Sequence, residues 1–114
     1  MTSGTGRRFE NFMAVQLARA VEAWNEKGEG PFELYYLRDR EGREVDFAIA
    51  DRERIRLLIE VKEADVSLSG NLAFFQTKAR APLAFQDIRQ KDLCVQKGKG
   101  LYVIGADRFL SLLP

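Results

Sequence analysis

The sequence predicts one small α/β domain in which helices cover a mixed β-sheet. Three observations support this class. The first long segment has apolar residues at helical spacing, the next segments alternate apolar and polar residues as strands do, and a second helical pattern precedes further strand-like runs. The chain has 114 residues, 46% of them hydrophobic, which suffices for one domain with a core of its own.

The predicted elements follow the order helix, three strands, helix, two strands, helix. The helices are expected over 9–26, 68–80 and 106–113, and the strands over 32–37, 43–50, 55–62, 82–85 and 101–104, with 92–96 ambiguous between strand and loop. Residues 1–8 are expected to be a disordered lead or a linker, and 9–114 to form the domain. The turns at 39–42, with Gly42 at positive φ, and at 51–54 join the first three strands into a meander.

The composition excludes several kinds of chemistry. The sequence contains no histidine, which removes imidazole bases, serine–histidine triads and histidine metal sites. Any metal must then be held by oxygen ligands, which favours magnesium, manganese or calcium over zinc. The single Cys94 allows no disulfide within the chain and suits a reducing cytoplasm. No apolar run approaches the ~18 residues that span a bilayer, so no membrane partner is expected.

The charge is balanced overall but not locally. The formal net charge is +1, whereas Gln76–Lys99 holds six basic and two acidic residues, a local net charge of +4. Such a stretch indicates either an anionic partner or a solvated face. The candidate nucleic-acid-binding residues are Lys78, Arg80, Lys97 and Lys99.

The second and third strands carry the candidate site. Alternation places Val45, Phe47 and Ile49 on one face of the second strand and Asp46 on the other. On the third strand Glu60 and Lys62 share a face. Aligning the apolar faces of this hairpin sets Asp46 opposite Glu60, at a Cβ separation of ~5 Å. Carboxylates this close repel unless a positive charge, such as a divalent cation or Lys62, lies between them.

This set of side chains suits phosphodiester hydrolysis. Two carboxylates can hold Mg²⁺ or Mn²⁺, which polarises a phosphate and lowers the pKa of a bound water. Lys62 can position that water and stabilise the charge that grows on phosphorus. The alternative is an exposed cross-strand cluster of Asp46, Lys62 and Glu60 with a structural role only.

Two further residues have two readings each. Glu10 falls inside the apolar arc of the first helix, where it could share a metal with Asp46, or could simply be an acid that the helix dipole favours in the first turn. Gln76, on the second helix, could contact a phosphate or a metal-bound water as an accessory residue, or could be an ordinary surface glutamine.

The order of these residues resembles the PD-(D/E)xK nuclease superfamily, in which a helix glutamate precedes a strand aspartate and an E-x-K strand. The matching segments are 9–12, 44–47 and 59–62, and the order is similar to that in archaeal Holliday-junction resolvases. The segments R-R-F-E-N-F, E-L-Y-Y-L-R-D, R-E-V-D-F and L-L-I-E-V-K resemble an uncharacterised C-terminal domain of prokaryotic AAA+ ATPases. No proline precedes Asp46, which is a departure from the superfamily motif.

The resemblance implies a restriction-endonuclease-like fold and a nuclease site with Asp46, Glu60 and Lys62 as catalytic residues and Glu10, Asp46 and Glu60 as metal ligands. It also implies that the partner is nucleic acid, with DNA favoured over RNA. A second implied partner is an ATPase domain, which this chain does not contain, since 97–100 is no P-loop. Two functions remain open: a Mg²⁺-dependent nuclease acting on branched or structured DNA, or a non-catalytic module that binds nucleic acid or docks onto an ATPase.

Overall fold

The computed structural model describes residues 4–114, with side chains from residue 6 onward. The described elements are α1 (Gly4–Glu26), β1 (Glu33–Arg38), β2 (Glu44–Ala50), β3 (Ile55–Lys62), α2 (Gly70–Ala79), β4 (Leu83–Ile88), β5 (Cys94–Gly98), β6 (Leu101–Gly105) and α3 (Ala106–Leu110). The strands form one sheet in the order β1-β2-β3-β4-β6-β5. The predicted α/β class, a mixed sheet flanked by helices, is therefore confirmed.

The sheet combines an antiparallel meander with a parallel centre. β1, β2 and β3 pair antiparallel, β3 pairs parallel with β4 and β4 with β6, and β5 closes the sheet antiparallel to β6. Because β2 runs against β3, it begins where β3 ends. We call this side of the sheet, at which β3, β4 and β6 end and β2 begins, the carboxyl edge.

Two apolar clusters lie on the two faces of the sheet. Met13 and Leu17 of α1 and Phe109 of α3 pack with Ile59 and Phe85. The cluster of α2 lies on the opposite face, since side chains alternate along β3, and it contains Leu58, Leu72, Phe75, Ala48 and Ala84. Within the described residues, no helix is long and apolar enough to cross a membrane.

The helix at the amino end is longer than the sequence pattern indicates. Residues 4–8 belong to α1, whereas we expected 1–8 to be a disordered lead, and residues 1–3 lie outside the described part of the chain. The prediction was wrong for 4–8 because two glycines and few apolar residues obscured the helical pattern. Gly6 is buried, so tertiary contact supports a turn with low intrinsic helix propensity.

A β-bulge changes the alternation along β2. The register runs Tyr35↔Ala48 and then Leu37↔Val45, so β2 has one residue more than β1 in this interval. Val45 consequently packs in the α2 cluster with Ala48, while Phe47 packs against the α1 cluster. The prediction that Val45 shares a face with Phe47 was wrong because strict alternation allows for no inserted residue.

Asp87 lies buried on β4, between β3 and β6, with no hydrogen-bond partner for its carboxyl group among the described residues. It lies on β4, beside Val61 of β3 and Ile104 of β6, and has no solvent exposure. Neither carboxyl oxygen has a hydrogen-bond partner among the described residues. Burial therefore raises the pKa of Asp87 well above its usual value, because the charged form cannot be solvated there.

We expect Asp87→Asn to remove part of the pH dependence of stability. The raised pKa means that the folded state keeps a proton that the unfolded chain loses above about pH 4, so wild-type stability falls as pH rises from there. The free energy of unfolding of the wild type, minus that of the variant, is expected to decline as the pH rises from about 4 towards the raised pKa of the folded state, by up to about 1.4 kcal/mol per pH unit. Urea denaturation over this pH range measures the two free energies of unfolding, with Asp92→Asn, at an exposed position, as the control. A difference between wild type and Asp87→Asn that does not change with pH would contradict the prediction.

Candidate functional site

Asp46 lies at the carboxyl edge, near the start of β2. The β2–β3 register runs Ala48↔Leu58 and Phe47↔Ile59, and its continuation sets Asp46 opposite Glu60. The Oδ2 atom of Asp46 accepts a hydrogen bond of 2.8 Å from the backbone N–H of Val61. This contact fixes the carboxylate beside the segment from Glu60 to Lys62, so the structure brings these three side chains together.

Glu60 is the more deeply buried of the two carboxylates. It is 8% exposed, and its Oε2 atom has no hydrogen-bond partner among the described residues. Burial raises the pKa of Glu60; the side chain of Ser69 opposes this by hydrogen bonding to the carboxylate, and the negative charge of Asp46 adds to it. A buried carboxylate with an unpartnered oxygen has the ligand chemistry of a cation site.

The pKa of Asp46 is also raised, chiefly by burial. The hydrogen bond from Val61 and the charge of Lys62 lower this pKa, and Glu44 raises it. The net result for both carboxyls is a higher pKa, because burial outweighs the hydrogen bonds and the charge of Lys62 that favour the ionised forms. A divalent cation would stabilise both ionised carboxylates together.

Gln86 holds the loop that leads from β3 into α2. Its side chain is fully buried; Oε1 accepts from the backbone N–H of Ser69 at 2.7 Å, and Nε2 donates to the carbonyls of Asp65 at 2.9 Å and Ser67 at 2.8 Å. The hydroxyl of Ser69 in turn accepts from the N–H of Leu72 and caps α2. Gln86 therefore positions Ser69, which contacts Glu60.

Three residues that act on the two carboxylates were not identified as site residues from the sequence: Ser69, Glu44 and Gln86. Ser69 could have been found as a serine directly before an apolar helical pattern, which is an N-cap signature. The charge of Glu44 raises the pKa of both Asp46 and Glu60. Glu44 could have been found because it lies two residues before Asp46, a spacing at which strand side chains share a face. Gln86 carries no sequence signal, because its importance comes from burial and from partners about 20 residues away.

Other candidate residues lie elsewhere. The side chain of Gln76 donates to the carbonyls of Lys99 and Gly100, both at 3.1 Å, and so holds the turn before β6. That turn lies at the amino end of the parallel strands, opposite the carboxyl edge. Lys97 and Lys99 belong to the same region, and Arg80 ends α2. The structure does not bring these residues to the Asp46 and Glu60 carboxylates.

The residues at the carboxyl edge fit a magnesium ion with two protein carboxylates. Across residues 4–114, no group of three or more histidine, cysteine, aspartate or glutamate side chains is close enough to hold a metal ion. Mg²⁺ commonly binds through one or two carboxylates and completes its octahedron with waters and substrate phosphates. Asp46 and Glu60 meet that need, while the ligand role of the half-buried Glu10 on α1 stays a prediction.

Fold and site together define a small α/β domain with a buried glutamate, a partly buried aspartate and a lysine at the carboxyl edge of its sheet. The family model described as "Domain of unknown function (DUF4143)" matches residues 5–109. The chain belongs to this family. No curated protein and no solved structure matches the chain.

We expect Mg²⁺ or Mn²⁺ to bind at millimolar concentration in a way that depends on Asp46 and Glu60. Because the pKa of each carboxyl is raised, protons compete with the cation above the ordinary carboxyl pKa, and the apparent affinity is expected to fall as the pH is lowered through the raised pKa values. Isothermal titration calorimetry in buffers of different ionisation enthalpy measures both the affinity and the protons released. Asp46→Asn and Glu60→Gln are expected to abolish binding. The control, Glu53→Gln at an exposed turn, is expected to preserve it. Equal affinity of the wild type and all three variants would contradict a metal site at Asp46 and Glu60.

We expect Gln86→Met to destabilise the domain by about 2–4 kcal/mol, because it removes three hydrogen bonds and leaves backbone groups of the 65–69 loop unsatisfied. Chemical denaturation measures this loss. Gln96→Met, on the exposed edge strand β5, is the matched control and is expected to change stability by less than about 0.5 kcal/mol. Equal stability of the two variants would show that Gln86 does not hold the loop.

Proposed function

We propose that this domain is a metal-dependent nuclease of restriction-endonuclease-like fold that hydrolyses phosphodiester bonds in nucleic acid, with DNA as the favoured substrate. The observation that carries the proposal is the pair formed by the partly buried Asp46 and the buried Glu60, each with a raised pKa, beside Lys62. In open α/β sheets, ligands commonly bind outside the carboxyl ends of the strands, which is where these residues lie. The order of these same residues along the chain, with Glu10 before them, resembles that of the PD-(D/E)xK nucleases and also supports the proposal.

The proposed chemistry divides among three side chains. Asp46 and Glu60 would hold Mg²⁺ or Mn²⁺, which would polarise the phosphate as a Lewis acid and lower the pKa of a bound water. The bond from the N–H of Val61 orients the Asp46 carboxylate, and Ser69 orients Glu60. Lys62 holds the attacking water in line with the phosphorus and stabilises the negative charge on the phosphate oxygens.

The second candidate function is a non-catalytic module that binds nucleic acid or docks onto an ATPase domain. The near-neutral net charge of +1 favours it, because a lone nuclease domain usually offers a broad basic surface. Lys62 separates the two functions. Near a metal ion its charge is repelled, so a site that only holds an ion gains nothing from it, whereas a phosphate arriving there does. A cytoplasmic location, which the single Cys94 favours, is part of the same proposal.

We expect Lys62→Met to lower metal-dependent cleavage by about 10²-fold or more while nucleic-acid affinity falls only modestly. The substitution keeps the apolar stem and removes the charge, and 10²-fold is the scale of losing one well-placed catalytic group. The measurement is single-turnover cleavage of branched, single-stranded and duplex DNA with Mg²⁺ or Mn²⁺.

The controls are Asp46→Ala, which is expected to be inactive, and Lys91→Met, at an exposed turn, which is expected to cleave as the wild type does. If the wild type cleaves none of the three substrates with either metal, the nuclease proposal fails and the binding module takes its place.

A further inference from the structure

One side of α2 faces the turn that joins β1 to β2. Asn71, Phe74 and Lys78 share this side, as the spacing i, i+3 and i+7 requires. The side-chain amide of Asn71 donates to the carbonyl of Glu44 at 3.3 Å, and the guanidinium carbon of Arg43 lies 3.8 Å from the centre of the Phe74 ring. The ammonium of Lys78 lies 5.5 Å from the same ring centre. A continuous contact zone thus runs along α2.

An open depression of about 530 Å³ lies at the far end of this zone. Its lining residues are Arg38, Asp39, Arg40, Glu41 and Lys78. Both acidic members form ion pairs with Arg43, whose Nε atom lies 2.7 Å from the Oδ2 atom of Asp39 and whose Nη2 atom lies 3.4 Å from the Oε2 atom of Glu41. The single positive charge of Arg43 offsets one of these two negative charges.

The basic members form no such ion pair among the described residues. Arg38, Arg40 and Lys78 are exposed, and none of them has an ion-pair partner in the described part of the chain. Together with Arg43 they bring four positive charges to this depression against the two negative charges of Asp39 and Glu41, an excess of two positive charges. We call Arg38, Arg40 and Lys78 the basic cradle.

Strand β2 and helix α2 each link the basic cradle to the carboxylate site. Arg38 pairs with Glu44 in the sheet register, and the charge of Glu44 raises the pKa of both Asp46 and Glu60. Along α2, the distance from Ser69 beside Glu60 to Lys78 is nine residues, or about 13 Å. That length corresponds to about four nucleotides along one strand of B-DNA.

We infer that the basic cradle binds the sugar–phosphate backbone of a nucleic-acid strand whose scissile phosphate lies at Asp46 and Glu60. Arg38, Arg40 and Lys78 bind phosphate oxygens, and the ion pairs that Arg43 forms with Asp39 and Glu41 reduce the negative charge that these carboxylates present to the strand. This inference rests on the proposed nuclease function, because it is the adjoining carboxylate site that favours a phosphodiester strand over other polyanions.

The test is DNA binding without cleavage. Fluorescence anisotropy of labelled single-stranded and duplex DNA, with EDTA present, compares the wild type with the triple variant Arg38→Ala, Arg40→Ala, Lys78→Ala. The matched control removes three exposed cations elsewhere: Arg52→Ala, Arg54→Ala, Lys91→Ala. Circular dichroism checks that both triple variants are folded.

The cradle variant is expected to bind at least tenfold more weakly, and the slope of log K against log salt to fall by about 2–3, since each lost phosphate contact removes about 0.7–0.9. The control variant is expected to keep most of the wild-type affinity and slope. Equal losses in the two variants, or an unchanged slope in the cradle variant, would overturn the inference. Binding of poly-glutamate with the same dependence on the cradle would also overturn it, in favour of an acidic polypeptide partner.

Cleavage assays with Mg²⁺ separate this inference from the proposed function. If the wild type cleaves DNA while cradle and control variants bind alike, the inference fails and the nuclease stands. If the wild type does not cleave but the cradle variant alone loses affinity, the nuclease fails and the cradle is the contact surface of a binding module.

Discussion

The uncompensated negative charge of Asp46 and Glu60 is the constraint around which the carboxyl edge is organised. Two carboxylates next to each other in a partly dehydrated place repel, and Lys62 supplies only one positive charge. Besides Lys62, two hydrogen-bond donors stabilise the ionised carboxylates. The N–H of Val61 donates to Asp46, and the hydroxyl of Ser69 acts on Glu60. A site with a remaining cost of this kind is ready to gain free energy from an arriving cation.

The β-bulge in β2 makes this placement compatible with a packed core. Val45 and Phe47 both reach apolar clusters, but on opposite faces of the sheet, and Asp46 lies between them. Bulges commonly redirect a side chain near a functional site. In this domain the inserted residue lets Asp46 bond to the backbone of β3 at the point where the ladder of β2 and β3 ends.

Helix α2 links the parts of the domain that concern function. At its start Ser69 contacts Glu60, along its side Asn71 and Phe74 contact the β1–β2 turn, and near its end Gln76 holds the turn before β6. A shift of α2 would therefore move the groups around the carboxylates and the basic cradle together. Gln86 limits such a shift, because its buried amide holds the loop from which α2 begins.

The sequence by itself determined the elements whose apolar periodicity is strong. The strands β1 to β3, the helices α1 and α2 and the buried strand β6 all lie within a few residues of their expected bounds. The proximity of Asp46, Glu60 and Lys62 also followed from the pattern, because aligning the apolar faces of one hairpin allows only one register. Local rules suffice where every contact lies within one hairpin.

Only the tertiary structure decided the rest. The position of Val45 depended on an inserted residue that alternation does not reveal, and the roles of Ser69 and Gln86 depended on partners brought close by the parallel pairing of β3 with β4. The basic stretch from Gln76 to Lys99 looked like one surface in the sequence, yet chain direction places Lys97 and Lys99 at the far end of the sheet. Arg38 and Arg40, in contrast, join Lys78 because a helix packs against a turn, and such contacts between distant segments leave no periodic trace in the sequence.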